Sequence, residues 1–95
     1  MDELQDNELS HEIEIKNTLG LHARPASMMV KLASSFDAEI TIQKDEESVN
    51  GKSLMGLLML SAGNGTVIKI LVSGKECKAA LDAIIDLINR KFDEE

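Results

Sequence analysis

Hydrophobic and polar residues alternate in four segments of the chain, and this alternation predicts four β-strands. The segments are residues 12–16, 39–43, 48–50 and 66–73. A period of two places successive side chains on opposite faces, so each strand is expected to bury one face and leave the other in water. The expected inward residues are Ile13, Ile15, Ile40, Ile42, Val49, Ile68, Ile70 and Val72.

Two other segments repeat their apolar residues every three or four positions, which predicts helices over residues 23–35 and 77–91, and a third helix is expected over the apolar run of residues 54–60. The first helix has an apolar stripe of Ala26, Met29, Val30, Ala33 and Phe36, and the last has one of Ala80, Leu81, Ile84, Leu87 and Ile88. Gly-Asn-Gly at residues 63–65 is a strong turn signal that ends the second helix.

The resulting order is β-α-β-β-α-β-α, which predicts an α+β fold of two layers with helices on one face of the sheet. The pattern alone does not separate this arrangement from a ferredoxin-like fold with an added helix. A chain of 95 residues is expected to form one domain, here residues 12–95. Residues 1–11 are polar and acidic, and we expect them to form a flexible leader.

His22 lies where the first helix is expected to begin. Gly20 permits a sharp turn, and Pro25 suits a first helical turn because its missing N–H costs little there. Unpaired N–H groups at a helix N-terminus attract anions, and Arg24 adds a planar donor fork suited to phosphate oxygens. The residues therefore favour a histidine that accepts a phosphoryl group, with Ala23 and Pro25 shaping the anion site. The alternative is a histidine that only caps the helix.

Ser53 precedes the apolar run of residues 54–60 and is expected to cap the second helix. A phosphate on Ser53 would also sit favourably at a helix N-terminus, so a cap and a modification site both fit. The run is apolar almost all round, although a short surface helix cannot bury every side. With Leu57 and Leu60 inward, a second face is left for docking a partner, or else for an unexpectedly enclosed core. The residues on that second face are Leu54, Met55 and Leu58.

Composition narrows the function further. A net charge of −7 argues against nucleic acid or an anionic membrane surface as a partner. No segment approaches a membrane span, and the first residues lack the features of a secretory signal, so we expect a cytoplasmic protein without membrane insertion. Cys77 is the single cysteine, and His11 stands in a polar segment without metal-ligand spacing to His22. We therefore expect neither a metal nor a cofactor.

Residues 20–26, Gly-Leu-His-Ala-Arg-Pro-Ala, resemble the active-site signature of the HPr family of histidine-containing phosphocarrier proteins, from the phosphoenolpyruvate:sugar phosphotransferase system. Residues 51–58, Gly-Lys-Ser-Leu-Met-Gly-Leu-Leu, resemble the regulatory-serine segment of the same family. The resemblance extends over residues 12–92. It implies an open-faced sandwich with a four-stranded antiparallel sheet and three helices on one face.

The resemblance also implies a function. His22 would accept a phosphoryl group on Nδ1 from phosphorylated enzyme I and pass it to acceptors of the enzyme IIA type, while Arg24 steadies the group. Ser53 would be the site of an HPr kinase/phosphorylase, and the helix that follows it would dock partners. Such a protein is a phosphoryl carrier and not a turnover enzyme, and we expect a monomer.

Two alternatives stay open at this point. Residues 17–20 and 92–95 resemble the nitrogen-related paralogue of HPr, in which the phosphorylation state is a regulatory signal and no sugar need be transported. The second alternative is a small binding module without phosphoryl chemistry, which the presence of both His22 and Arg24 disfavours.

Overall fold

Four antiparallel strands form one sheet in the computed structural model, which describes residues 8–94. In chain order the strands are β1 (Glu8–Glu14), β2 (Glu39–Lys44), β3 (Glu47–Asn50) and β4 (Val67–Ser73). Their spatial order is β1-β4-β2-β3, so β4 and β2 are central and the two others form the edges. The fold class, the antiparallel sheet and the number of strands are confirmed, but β1 lies earlier in the chain than the predicted residues 12–16.

The register of the sheet explains why one face is buried. Ile13 of β1 pairs with Ile68 of β4, and Ile42 of β2 pairs with Ile70 of β4. Because side chains alternate along a strand, this pairing brings the isoleucines together on the same face. All four are buried, while Val67 on β4 faces the open side of the sheet.

Three helices cover the buried face. They are α1 (Ala23–Ser34), α2 (Leu54–Met59) and α3 (Cys77–Asn89), and a 3-10 turn, Lys91–Asp93, follows α3. The predicted stripe of α3 is buried in full, and Ala26, Met29 and Ala33 are buried in α1. The layer arrangement is therefore the two-layer sandwich expected from the pattern.

The start of the first strand was predicted too late in the chain. β1 begins at Glu8, and residues 8–11 pair with β4 where the sequence suggested a flexible leader. Ser10, His11 and Glu12 are polar residues and are all exposed on this edge strand. The sequence here therefore does not show the alternation of apolar and polar residues that marks a strand. Backbone pairing with β4 forms the strand without it. Residues 1–7 of the expected leader lie outside the described residues.

The chain reverses after α3 through an unusual turn that matters for the site. Lys91, Phe92 and Asp93 all have positive φ angles, of 56°, 56° and 59°. Left-handed backbone is costly for residues other than glycine, by about 1–2 kcal/mol each. The turn is held because Phe92 is fully buried and because Arg90 contacts both Asp86 and Asp93. For this reason α3 ends at Asn89 and not near Lys91 as predicted, and the chain turns back toward the start of α1.

Candidate phosphoryl-acceptor site

The loop before α1 is fixed by a glycine that no other residue could replace without strain. Gly20 has φ of +72°, and a Cβ atom there would lie 2.5 Å from both the Ala62 carbonyl oxygen and the Gly63 Cα. The next amide, of Leu21, donates to the Ala62 carbonyl at 2.8 Å. The loop before α1 thus lies close against the loop after α2, which contains Ala62 and Gly63, and this contact sets the position of His22.

His22 is the N-cap residue of α1, with extended backbone (φ −86°, ψ −169°). Its carbonyl accepts from the Ala26 amide at 2.9 Å, but its side chain makes no capping hydrogen bond. The ring instead lies with Nε2 3.0 Å from Oε2 of Glu94, and its side chain is 39% exposed. The imidazole therefore does not cap the helix, and the ring is accessible to another molecule.

The first turn of α1 offers donors beside the ring. Within residues 8–94, the amides of Ala23 and Arg24 have no acceptor. Pro25 is buried and brings no N–H of its own. The Arg24 side chain is exposed, and its guanidinium has no hydrogen-bond partner in the part of the chain that the structure describes. These donors and the helix dipole favour an anion next to His22.

Glu94 and Asn17 complete the site, and neither was predicted as a site residue. Asn17 Nδ2 donates to the Gly20 carbonyl at 2.7 Å and to Glu94 Oε1 at 3.2 Å. Hydrogen bonds from Asn17 and then from His22 hold the pKa of the Glu94 carboxyl below its usual value, with a smaller contribution from the charge of Arg24. Asn17 and Glu94 are 77 residues apart, so neither spacing nor periodicity could indicate their contact.

Ser53 caps α2 as predicted. Its Oγ accepts a hydrogen bond from the Gly56 amide at 3.0 Å, and its backbone is extended (φ −110°, ψ 113°). Its neighbour Lys52 donates through Nζ to the Phe36 carbonyl at 3.1 Å, which ties the start of α2 to the segment after α1. The Ser53 hydroxyl is half-buried and keeps its own proton available.

The two faces of α2 divide as expected. Leu57 and Leu60 are buried, whereas Leu54, Met55 and Leu58 are 42%, 69% and 37% exposed. Met59 is also exposed, at 71%, and extends this apolar surface beyond the three predicted residues. We call Leu54, Met55, Leu58 and Met59 the α2 face. Since α2 packs against α1, the α2 face and His22 belong to neighbouring helices.

Other functional groups are sparse in the described region. No cluster of three or more metal-ligating side chains occurs among residues 8–94. Cys77 is a buried free thiol, and His11 is exposed on β1. No helix in the same region is long and apolar enough to cross a membrane.

Comparison with known proteins agrees with this fold. Residues 9–90 match the family described as "PTS HPr component phosphorylation site". The phosphocarrier protein NPr of Shewanella violacea is 50% identical over 86 residues, which are 90% of this chain and 94% of that protein. The phosphocarrier protein HPr of Neisseria meningitidis is 46% identical and covers 90% of this chain and 97% of its own. A crystal structure of HPr from Thermoanaerobacter tengcongensis superimposes with a TM-score of 0.89 and 45% identity, over 92% of this chain and 98% of that one.

Fold and sequence together define a phosphocarrier protein of the phosphotransferase system, a carrier and not a turnover enzyme. The chain belongs to the HPr family. Relatives named HPr and NPr both match it closely, so the comparisons do not favour the regulatory paralogue over the general carrier function. Its partners are proteins of the phosphotransferase system.

Proposed function

We propose that this protein carries a phosphoryl group on Nδ1 of His22, which it receives from phosphorylated enzyme I and passes to acceptors of the enzyme IIA type. The observation that carries the proposal is the position of His22. Its ring is accessible, lies at the N-terminus of a 12-residue helix, and is followed by two amides without acceptors in the described residues. We expect the relay to operate in the cytoplasm.

The transfer is an exchange of one N–P bond for another. The lone pair on Nδ1 of His22 attacks phosphorus of the donor's phosphohistidine, and the N–P bond of the donor breaks with its electron pair returning to the donor nitrogen. Passing the group onward repeats the exchange with the acceptor's histidine as nucleophile. No oxidant, reductant or metal ion is consumed in either step.

Arg24 is proposed to steady the phosphoryl group. The phosphoryl group carries about two negative charges. Once the group has left enzyme I, these charges need hydrogen-bond donors on the carrier. The amides of Ala23 and Arg24 and the exposed Arg24 guanidinium supply such donors, and Pro25 keeps the first turn helical without competing for them. Arg24 should therefore affect the rate of transfer more than the stability of the fold.

The α2 face is proposed to dock both donor and acceptor. Four apolar side chains that are 37% to 71% exposed on one short helix form a surface that water solvates poorly. Two of the four are methionines, Met55 and Met59, whose flexible side chains adapt to partners of different shape. Docking through this face would hold His22 on the adjacent helix against the partner's phosphohistidine.

Intact mass spectrometry after incubation with enzyme I and phosphoenolpyruvate tests the acceptor residue. The wild type should gain the mass of one acid-labile phosphoryl group, and His22→Ala should gain none. His11→Ala is the matched control because it removes the other histidine, which is exposed on β1, and it should be phosphorylated like the wild type. Equal phosphorylation of His22→Ala would refute the proposal.

We also propose Ser53 as a regulatory site for an HPr kinase/phosphorylase. Ser53 stands immediately before the α2 face, so a phosphate there would change the charge of the docking surface while remaining compatible with the helix N-terminus. Incubation with such a kinase and ATP should add one acid-stable phosphate to the wild type and to Ser48→Ala, a control serine exposed on β3. Ser53→Ala should add none. If the wild type adds none either, Ser53 is only a cap.

A further inference from the structure

The contact between Glu94 and His22 has a chemical consequence for the reactive nitrogen. We propose that Glu94 is a positioning residue that holds the neutral His22 ring with its proton on Nε2, so that Nδ1 keeps the lone pair needed for phosphoryl transfer. This inference rests on the proposed role of His22 as the acceptor.

The geometry of the pair leads to this tautomer. Oε2 of Glu94 lies 3.0 Å from Nε2 of His22. An ionised carboxylate can only accept hydrogen bonds, so Nε2 must be the donor. A neutral imidazole carries one proton on its two nitrogens, and a proton on Nε2 leaves Nδ1 unprotonated. A carboxylate orients a histidine in the same way in hydrolase triads and in many metal sites.

Independent contacts keep the Glu94 carboxylate ionised and in place. Its other oxygen accepts from Asn17 Nδ2 at 3.2 Å, and Asn17 is only 1% exposed. Both neighbours of that Asn17 amide, Oε1 of Glu94 and the Gly20 carbonyl, are acceptors, so the NH2 group must face them. The backbone carbonyl of Asn17 in turn accepts from Asn64 Nδ2 at 3.2 Å. Glu94 is thus fixed by the same loop that positions His22.

The turn before Glu94 supports a functional reason for this contact. Three successive residues without glycine, residues 91–93, are held in left-handed backbone. Such strain persists only where the surroundings enforce it, and it is concentrated at functional positions. Here the burial of Phe92 enforces the turn, and the result is that Glu94 reaches back to the start of α1.

The carboxylate also matches the charge that appears during transfer. When Nδ1 forms its bond to phosphorus while Nε2 keeps its proton, the ring becomes an imidazolium. Glu94 then faces a positive ring at 3.0 Å, and Arg24 remains available for the phosphoryl oxygens. When the group leaves, the electron pair of the N–P bond returns to Nδ1 and the ring is neutral again.

Nitrogen-15 NMR of the unphosphorylated protein tests the tautomer directly. The chain contains two histidines, and exposed His11 has no hydrogen-bond partner among residues 8–94, so it is an internal reference. Spectra are recorded at about pH 8.5, well above the ordinary imidazole pKa of about 6.5. His22 should show a larger fraction of the Nε2–H form than His11, and Glu94→Ala should make the two rings alike. Identical rings in the wild type, or no change in Glu94→Ala, would overturn the inference.

Transfer from phosphorylated enzyme I gives the second measurement. Glu94→Ala should slow it roughly tenfold, at the lower end of the effect of losing an orienting partner because the pair is partly exposed. Glu94→Gln, which keeps an acceptor without the charge, should fall between Ala and the wild type. The control Glu12→Gln loses the same charge at an exposed position of β1 that makes no side-chain hydrogen bond among residues 8–94, so its rate should be unchanged.

The two proposals fail in different ways. If His22→Ala is still phosphorylated, the acceptor assignment is wrong, whatever the spectra show. If His22 is the acceptor but Glu94→Ala changes neither the tautomer nor the rate, only the positioning role fails. A changed tautomer with an unchanged rate also refutes that role.

Discussion

Replacing Met55 by glutamine is a sharp test of the α2 face. Glutamine has nearly the length of methionine and is a good helix former, so Met55→Gln removes apolar character with little change in shape. Met55 is 69% exposed and makes no hydrogen bond that the substitution could break. The fold should therefore keep its stability to within about 0.5 kcal/mol, as is usual for exposed positions.

The loss of affinity can be worked out from the exposed fraction. Complete burial of a methionine side chain contributes about 1.5–3 kcal/mol. If the partner covers the 69% that is exposed, the contact is worth about 1–2 kcal/mol. At about 1.4 kcal/mol for each factor of ten, Met55→Gln should weaken partner binding about 5- to 30-fold. Met55→Glu should weaken it further because a charge must also be desolvated.

The assay is the concentration dependence of phosphoryl transfer from enzyme I, with circular dichroism to verify the fold. Val67→Thr is the matched control, since Val67 is 55% exposed but lies on the open face of the sheet, away from the helices. The apparent KM should rise for Met55→Gln and stay at the wild-type value for Val67→Thr. An unchanged KM for Met55→Gln, or an equal rise in both variants, would show that the α2 face is not the docking surface.

Three further predictions concern stability. Ser53→Ala removes the acceptor of the Gly56 amide and should lower the free energy of unfolding by about 0.5–2 kcal/mol in urea titrations, whereas Ser53→Gly should cost only a few tenths; equal losses would argue against a cap. Gly20→Ala places a methyl group 2.5 Å from backbone atoms at a φ of +72°, so thermal unfolding should show a loss of more than about 1 kcal/mol, and an unchanged melting temperature would contradict the loop geometry. Because the pKa of Glu94 is lowered by its contacts with Asn17 and His22, its stabilising contribution is present above the ordinary glutamate pKa of about 4.3 and disappears as the pH falls through the lower folded value. The wild type should therefore exceed Glu94→Gln in urea midpoint at pH 7, the difference should shrink as the pH falls below the ordinary glutamate pKa, and a difference that grows on acidification would refute the assignment.

Residues close together in sequence were the ones whose positions could be predicted. The alternation around Ile68 and Ile70 and the helical stripe of α3 define their elements locally, and His22, Ser53 and the split of α2 follow from the same local patterns. The resemblance to the HPr family resolved the choice of topology that periodicity left open.

Features that depend on distant contacts were missed. β1 begins early because β4 supplies its hydrogen bonds, and no pattern in Ser10 or His11 reports this. The left-handed turn contains no glycine that would signal it, since the burial of Phe92 enforces it from the core. The contact of Glu94 with His22 spans 72 residues and exists only once α3 has packed on the sheet.

The separation of 72 residues between His22 and Glu94 affects how the protein is made and handled. His22 leaves the ribosome 72 residues before Glu94, so during synthesis the ring exists for most of the time without the carboxylate that faces it in the finished domain. The same reasoning applies to fusion proteins, because Glu94, the last residue that the structure describes, contacts the reactive ring. The other described end of the domain, Glu8, pairs with Ser73 at the opposite end of β1 from the loop that leads to His22. Affinity tags and fluorescent labels are therefore better attached on that side.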